Sequence, residues 1–197
     1  MSGFIEFVEL DVTALAAGGR GVARRDGEVW MVDGAVPGDR VLAEPVRVRP
    51  RLVEGRTRKV LVPSPMRREP PCGVQHACGG CPWMVLPEAG QREWKRQVVV
   101  DSLERIARLK DPPVEPVIPS PAALHYRGKA EFSIGSDRDG TVLVGVRHGG
   151  DPGALVDVAE CPVLAEDANR VLQEVRGGLG ATGPGGTVGR ADPRGRR

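Results

Sequence analysis

A chain of 197 residues with 40% hydrophobic content has material for one compact core or two small ones, so it is neither a peptide nor a disordered segment. Aromatics are only 4% while Gly (27) and Pro (18) are abundant, which favours short strands joined by turns over long helices. The net charge of +2 excludes a nucleic-acid argument from the whole chain, and no apolar run is long enough for a membrane span.

Up to Val62 the chain reads as short β segments: Phe4 to Val12, Gly21 to Arg24, Val29 to Val32, Arg40 to Arg51 and Arg58 to Val62. Gly18-Gly19, Asp26-Gly27, Asp33-Gly34 and Pro37-Gly38-Asp39 punctuate them, and strands at this spacing predict a small barrel over 1–65. In Val46-Arg47-Val48-Arg49-Pro50-Arg51 the period of two places the arginines on one face and the valines on the other. Arg47, Arg49, Arg51, Arg56, Arg58 and Lys59 form a basic run, a candidate RNA surface whose bland alternative is a solvated strand edge.

Pro63, Pro65, Pro70 and Pro71 interrupt the strand pattern and mark a domain boundary. The next module, 66–112, holds three cysteines and a helix over Glu88 to Leu109, with Val99, Leu103 and Ile106 at helical spacing and Asp111-Pro112-Pro113 as its stop. Over 113–176 a partial antiparallel β domain is expected. Ala130, Phe132 and Ile134 share one face, Asp137 to Gly140 turns, Thr141 to Val146 returns, and Leu155 to Val158 leads into Cys161. The Gly/Arg-rich stretch 177–197 has little to bury and is expected to be disordered. The fold class is therefore mainly β with one or two helices.

The acids in Met1 to Leu10 do not suit a signal peptide, and a cytoplasmic location without a membrane partner is expected. Four cysteines in a reducing compartment point to a metal or cluster in preference to disulfides. Cys72, Cys78 and Cys81 share one loop through Cys78-Gly79-Gly80-Cys81, and Cys161-Pro162 lies far downstream. Four thiolates suit zinc as well as a [4Fe-4S] cluster, and the three-plus-one arrangement leans towards the cluster. His76, His125 and His148 have no carboxylate or nucleophile partner that the sequence identifies, so they are not assigned acid-base roles. Tyr126, Arg127 and Lys129 join the RNA candidates, because an aromatic that stacks on a base beside a cation for phosphate suits single-stranded RNA.

The segment Cys72-Gly-Val-Gln-His-Ala-Cys78-Gly-Gly-Cys81-Pro-Trp, followed by Gln91 to Gln97, His125-Tyr126-Arg127-Gly128-Lys129 and Glu160-Cys161-Pro162-Val163-Leu164, closely resembles the iron-sulfur RNA (uracil-5-)-methyltransferases. Gly19-Arg20-Gly21-Val22-Ala23, Val36-Pro37-Gly38-Asp39 and Pro63-Ser64-Pro65-Met66-Arg67 look like the TRAM domain that opens those enzymes. The resemblance runs in order from about Phe4 to Leu164 and departs from the family at Gly128, where Asn is usual. It implies an OB-like RNA-binding barrel, a [4Fe-4S] cluster on Cys72, Cys78, Cys81 and Cys161, and part of a central RNA-contacting domain.

C5 methylation of uracil also needs a nucleophilic thiolate, a methyl donor on a nucleotide-binding fold, and a base. With the four cysteines given to the cluster none is left as nucleophile, and too few residues follow Leu164 for a donor-binding domain. The expectation is an RNA-binding, cluster-holding N-terminal part of an S-adenosylmethionine-dependent enzyme that acts on rRNA or tRNA. The chain alone is expected to be inactive, with S-adenosylmethionine bound only by a longer enzyme or a separate catalytic chain. The alternative is a free-standing, non-catalytic RNA-binding module with an iron-sulfur or zinc structural site.

Overall fold

The computed structural model describes residues 6–137, 139–149, 151–180 and 188–190. The chain divides into two compact units: Met1–Glu69 with Pro82–Pro119, and Pro70–Cys81 with Ser120–Arg197. The stretch 66–112, read from sequence as one module, is split between them. Its cysteine loop belongs to the second unit and its helix to the first.

In the first unit six strands, β1 (Val8–Asp11), β2 (Ala14–Leu15), β3 (Gly21–Arg25), β4 (Glu28–Asp33), β5 (Arg40–Arg49) and β6 (Leu52–Val62), form a sheet in the order β1-β5-β6-β4-β3-β2. All neighbours are antiparallel except β4 and β6, which run parallel. The two edge strands of that order are consecutive in the chain and separated only by Val12 and Thr13. There the Val12 N–H donates to Asp39 O and the Thr13 N–H to Val22 O, both at 2.9 Å, so the sheet closes on itself. Alternation fills the interior with Leu10, Val12, Ala23, Trp30, Val32, Val41, Ala43 and Val53. Gly21 is required by this closure, because a Cβ there would sit 2.9 Å from Val12 Cγ1 and from Ala35 Cβ.

The chain then leaves the barrel on a polar clasp. The carboxylate of the buried Asp39 accepts the Val36 and Ser64 backbone N–H groups, each at 2.8 Å, and pairs with Arg67 Nη2 at 2.9 Å. Gly38 has φ +88°, and a Cβ there would meet Ser64 Oγ at 2.8 Å. A 3-10 turn spans Pro82–Val85. Helix α1 is the single turn Gln75–Cys78 and helix α2 spans Glu88–Arg105. Trp83 and Trp94 pack on buried Leu15, Val36, Val85 and Leu86.

Two expectations in this unit are corrected. Arg51 is not a strand residue: Pro50 and Arg51 form the β5–β6 turn, Arg51 at φ +63°, and β6 starts directly after it. Nor do Val46 and Val48 face a core. They are 59% and 68% exposed: β1 pairs with β5 only as far as Ala43, so this end of β5 has β6 alone beside it. In α2, likewise, no residue is buried; Val99 is exposed, and so is Ile106 just past its end.

In the second unit β7 (Ser133–Ser136), β8 (Val142–His148), β9 (Asp151–Asp157) and β10 (Val188–Arg190) form an antiparallel sheet in the order β10-β9-β8-β7. At the expected turn Asp137 Oδ1 accepts the Asp139 and Thr141 N–H groups at 3.0 and 2.9 Å. Phe132 packs on the core while Ile134 is 62% exposed, so the two do not share a buried face. Helix α3 (Glu166–Gly178) buries Leu172 against Val144 and Val158. It also buries Arg176, whose Nη1 and Nη2 reach the two Asp157 oxygens at 2.5 and 2.9 Å. Thus Gly177 and Gly178 close a helix and Val188–Arg190 pair with β9. The other residues of the expected disordered tail, apart from Leu179 and Gly180, lie outside the described ones. Among the described residues no helix is long and apolar enough to cross a membrane.

Candidate metal centre

All four cysteines fall in the second unit, are free, and are half-buried. The first three are placed by one turn of helix. The Cys72 carbonyl accepts the Gln75 N–H at 3.1 Å, the Cys78 N–H donates to Val74 O at 2.8 Å, and the turn ends on Gly79 at φ +68°. A left-handed residue there reverses the chain sharply, which glycine permits without strain. The Gln75 side chain then donates to Cys81 O at 3.2 Å, so one residue is bonded to the backbone on both sides of the loop. The loop is fixed to the sheet by the Gly149 N–H, which donates to Ala77 O at 3.0 Å.

Cys161 reaches the same neighbourhood from the end of the sheet. Val74 and Cys161 both pack against the cluster of Val144, Val158 and Leu172. The Cys161 turn is closed by the Leu164 N–H donating to Cys161 O at 3.0 Å. Beside it runs His125–Arg127, with the His125 N–H on Pro162 O at 2.9 Å and the Arg127 N–H on Val163 O at 2.8 Å. His125 Nδ1 also lies 3.2 Å from Leu164 O. The sequence reading linked these two motifs only through a resemblance; here they form a bridged pair of segments.

Electrostatics ties the thiols together. Burial pushes the Cys72 thiol above its ordinary range, and Cys78 and Cys161 add to the rise. Burial also raises Cys81, Arg127 opposes the rise, and Cys161, Cys78 and Cys72 reinforce it. At Cys72 and Cys81 the neighbouring thiols thus oppose the thiolate, and a bound cation would relieve that opposition. Among the described residues no group of three His, Cys, Asp or Glu side chains is arranged to hold a metal ion. Cys72, Cys78, Cys81 and Cys161 are close enough to act on one another electrostatically.

The basic run is less uniform than its sequence implies. Glu54 lies between Arg49 (3.3 Å) and Arg20 (3.8 Å), and Glu44 holds Arg58 at 2.5 Å. Arg56 is half-buried, whereas Arg47, Arg51 and Lys59 are exposed. Tyr126 is 57% exposed beside the half-buried Arg127, and Lys129 pairs with Glu131 at 3.1 Å.

No family model matches the chain. It is 37% identical over 169 residues to an uncharacterized RNA methyltransferase of Synechocystis sp., covering 86% of this chain and 36% of that protein. It is 41% identical over 170 residues to another of Gloeobacter violaceus, covering 86% and 37%. By name, these relatives are RNA methyltransferases. Among solved structures it resembles the Pyrococcus abyssi tRNA (uracil-54, C5)-methyltransferase in complex with S-adenosyl-L-homocysteine. That likeness has a TM-score of 0.54 at 23% identity over 85% of this chain and 36% of that one, and it shows a shared fold. The chain thus spans 36–37% of the length of these two curated relatives.

Three contributors were not singled out from sequence. Gln75 and Asn169, which bind the backbone at Cys81 and Cys161, had no signal beyond being polar. Asp157, the buried partner of Arg176, interrupts the apolar run from Ala154 to Val158, and an acid inside such a run was the available clue.

Proposed function

We propose that this chain is the RNA-recognition and [4Fe-4S]-holding portion of an S-adenosylmethionine-dependent RNA uracil-5-methyltransferase working on tRNA or rRNA in the cytoplasm. The observation that carries it is the gathering of all four cysteines, from two distant segments, in one unit of a chain whose relatives are RNA methyltransferases. Cys72, Cys78, Cys81 and Cys161 would each hold one corner of the cluster. Thiolates on four separate irons stand farther apart than thiolates around one ion, where Zn–S is about 2.3 Å. The arrangement of three cysteines on one short loop with a distant fourth is what favours the cluster over zinc. When bound, the cluster supplies a rigid, multiply bonded anchor for the loop and the Cys161 turn.

The chain's own residues do the recognition. The barrel is the TRAM, OB-like element. Arg47, Arg51 and Lys59 are exposed cations for phosphate, Arg49, Arg56 and Arg58 support them, and Tyr126 with Arg127 and Lys129 offers a base-stacking and phosphate-binding pair. The methyl donor, the attacking thiolate and the proton-abstracting base belong to the length of the relatives that this chain does not span, in a longer protein or a companion chain.

The test is anaerobic purification followed by iron, sulfide and zinc analysis, with RNA binding measured at several salt concentrations. Near-stoichiometric four-iron content and binding that weakens steeply with salt are expected. Zinc in place of iron would overturn the cluster, and indifference to RNA at low salt would overturn the recognition role.

A further inference from the structure

Cys161 is presented by a turn whose geometry depends on one side chain outside the cysteine pattern. Asn169, in the first turns of α3, is 8% exposed. Its Oδ1 accepts the Cys161 N–H at 3.0 Å, and its Nδ2 donates to Cys161 O at 3.0 Å and to Leu164 O at 3.1 Å. A side-chain amide has two donor hydrogens and an acceptor oxygen, and here both hydrogens and the oxygen are engaged. The orientation is forced, because a flipped amide would set NH2 against an N–H and its oxygen against two carbonyls. No other side chain of this size matches: Asp has no donors, Ser is short, and Gln adds a methylene.

The first three cysteines share a short loop that brings them near one another. The fourth arrives from a distant part of the chain, so its position is set by tertiary contacts alone. We infer that Asn169 is the positioning residue for the fourth cysteine, holding the Cys161–Leu164 turn so that the thiol faces the centre shared with Cys72, Cys78 and Cys81. The inference rests on the cluster reading for its purpose, and on the three hydrogen bonds for its geometry. It acts as outer-shell partners of metal ligands do, by fixing a ligand it does not replace.

The test uses the full 197-residue chain, reconstituted anaerobically, as wild type, Asn169→Ala and Leu172→Ala. Leu172 lies on the same helix and in the same core but makes none of these bonds, so it controls for lost stability. Iron release to a chelator is timed, and in the metal-free chain each cysteine's alkylation rate is read by mass spectrometry. Asn169→Ala should release iron faster by about 10- to 100-fold, the usual range for a lost outer-shell partner. It should also change the labelling of Cys161 while leaving Cys72, Cys78 and Cys81 as they were. Leu172→Ala, compared at equal loss of thermal stability, should release iron more slowly than Asn169→Ala. Wild-type release from Asn169→Ala, or equally fast release from Leu172→Ala, overturns the inference. If Asn169→Ala does not fold, Asn169→Asp keeps the size and the acceptor, lacks both donors, and carries the same comparison. A wild-type chain that takes up no iron removes the cluster reading, and the labelling then decides: a change confined to Cys161 upholds the positioning role, and a uniform change ends it.

Discussion

Asp39 is a carboxylate with 1% of its surface exposed, and such a group is tolerated only if its oxygens are occupied. Both are: Oδ1 takes the Ser64 N–H, Oδ2 takes the Val36 N–H, and the Arg67 guanidinium neutralises the charge while also donating to Gly34 O at 2.6 Å. One side chain therefore ties the turn before β5 to the segment after β6. Asp39→Ala leaves two buried backbone donors unpaired and a partly buried guanidinium without its counter-charge, and should lower stability by about 3–5 kcal/mol. Asp39→Asn should cost nearly as much, because its NH2 must face one of the two N–H groups. Urea denaturation of the purified variants checks both, and an Asn variant as stable as wild type would show that the clasp is held by shape and not by acceptors.

At the scale of elements, the distal β5–β6 hairpin carries charge on a frame that is only partly neutralised. Glu44 and Glu54 restrain Arg58, Arg49 and Arg20, whereas Arg47 and Lys59 are exposed. If this hairpin contacts phosphate, Arg47→Ala and Lys59→Ala should each weaken RNA binding whatever the sequence, and each should reduce the salt slope by about 1. Glu54→Gln should tighten binding, because it releases two arginines. Anisotropy titrations with a structured RNA at several salt concentrations read all three, and unchanged affinity in the two alanine variants would move recognition off the hairpin. The charge run was legible in the sequence; its pairing was not, since Glu44 and Arg58 meet only across the sheet. Strands with clean alternation, such as Glu28–Asp33, could be read because one face is buried. Ala14–Leu15 could not, being too short for a period, and the valines of Val46–Arg49 alternated without a core beneath them. Helix α3 does carry Ala168, Val171, Leu172 and Val175 at helical spacing, but Val171 and Val175 are exposed and the buried positions are Asn169, Leu172 and Arg176, so the stripe does not mark the face that packs. The cysteines were legible because thiolate chemistry restricts what three on one loop and a distant fourth can do, while the residues that place them had no such restriction.

Taken whole, the molecule has two units with very different means of support. The barrel unit has a large interior around Trp30, Val32 and Val41 together with the Asp39–Arg67 clasp. The second unit's corresponding cluster is Val144, Val158 and Leu172, helped by the buried Asp157–Arg176 pair, and Cys161 packs on its margin. The unit also buries Leu143, Leu155, Val156 and Leu164, and the proposed cluster, if bound, would add its binding free energy to the folding of this unit alone. Removing the cluster should therefore unfold the second unit well before the first. The chain carries its own reporter for this, since its three tryptophans, Trp30, Trp83 and Trp94, all lie in the barrel unit. In Cys78→Ala, tryptophan emission should keep its wild-type denaturation midpoint while far-UV circular dichroism shows an earlier second transition. If emission and dichroism shift together, the units unfold as one and the cluster supports the entire chain. If neither moves, the four thiols add nothing to stability, and the site's purpose would have to be sought in RNA contact or electron transfer.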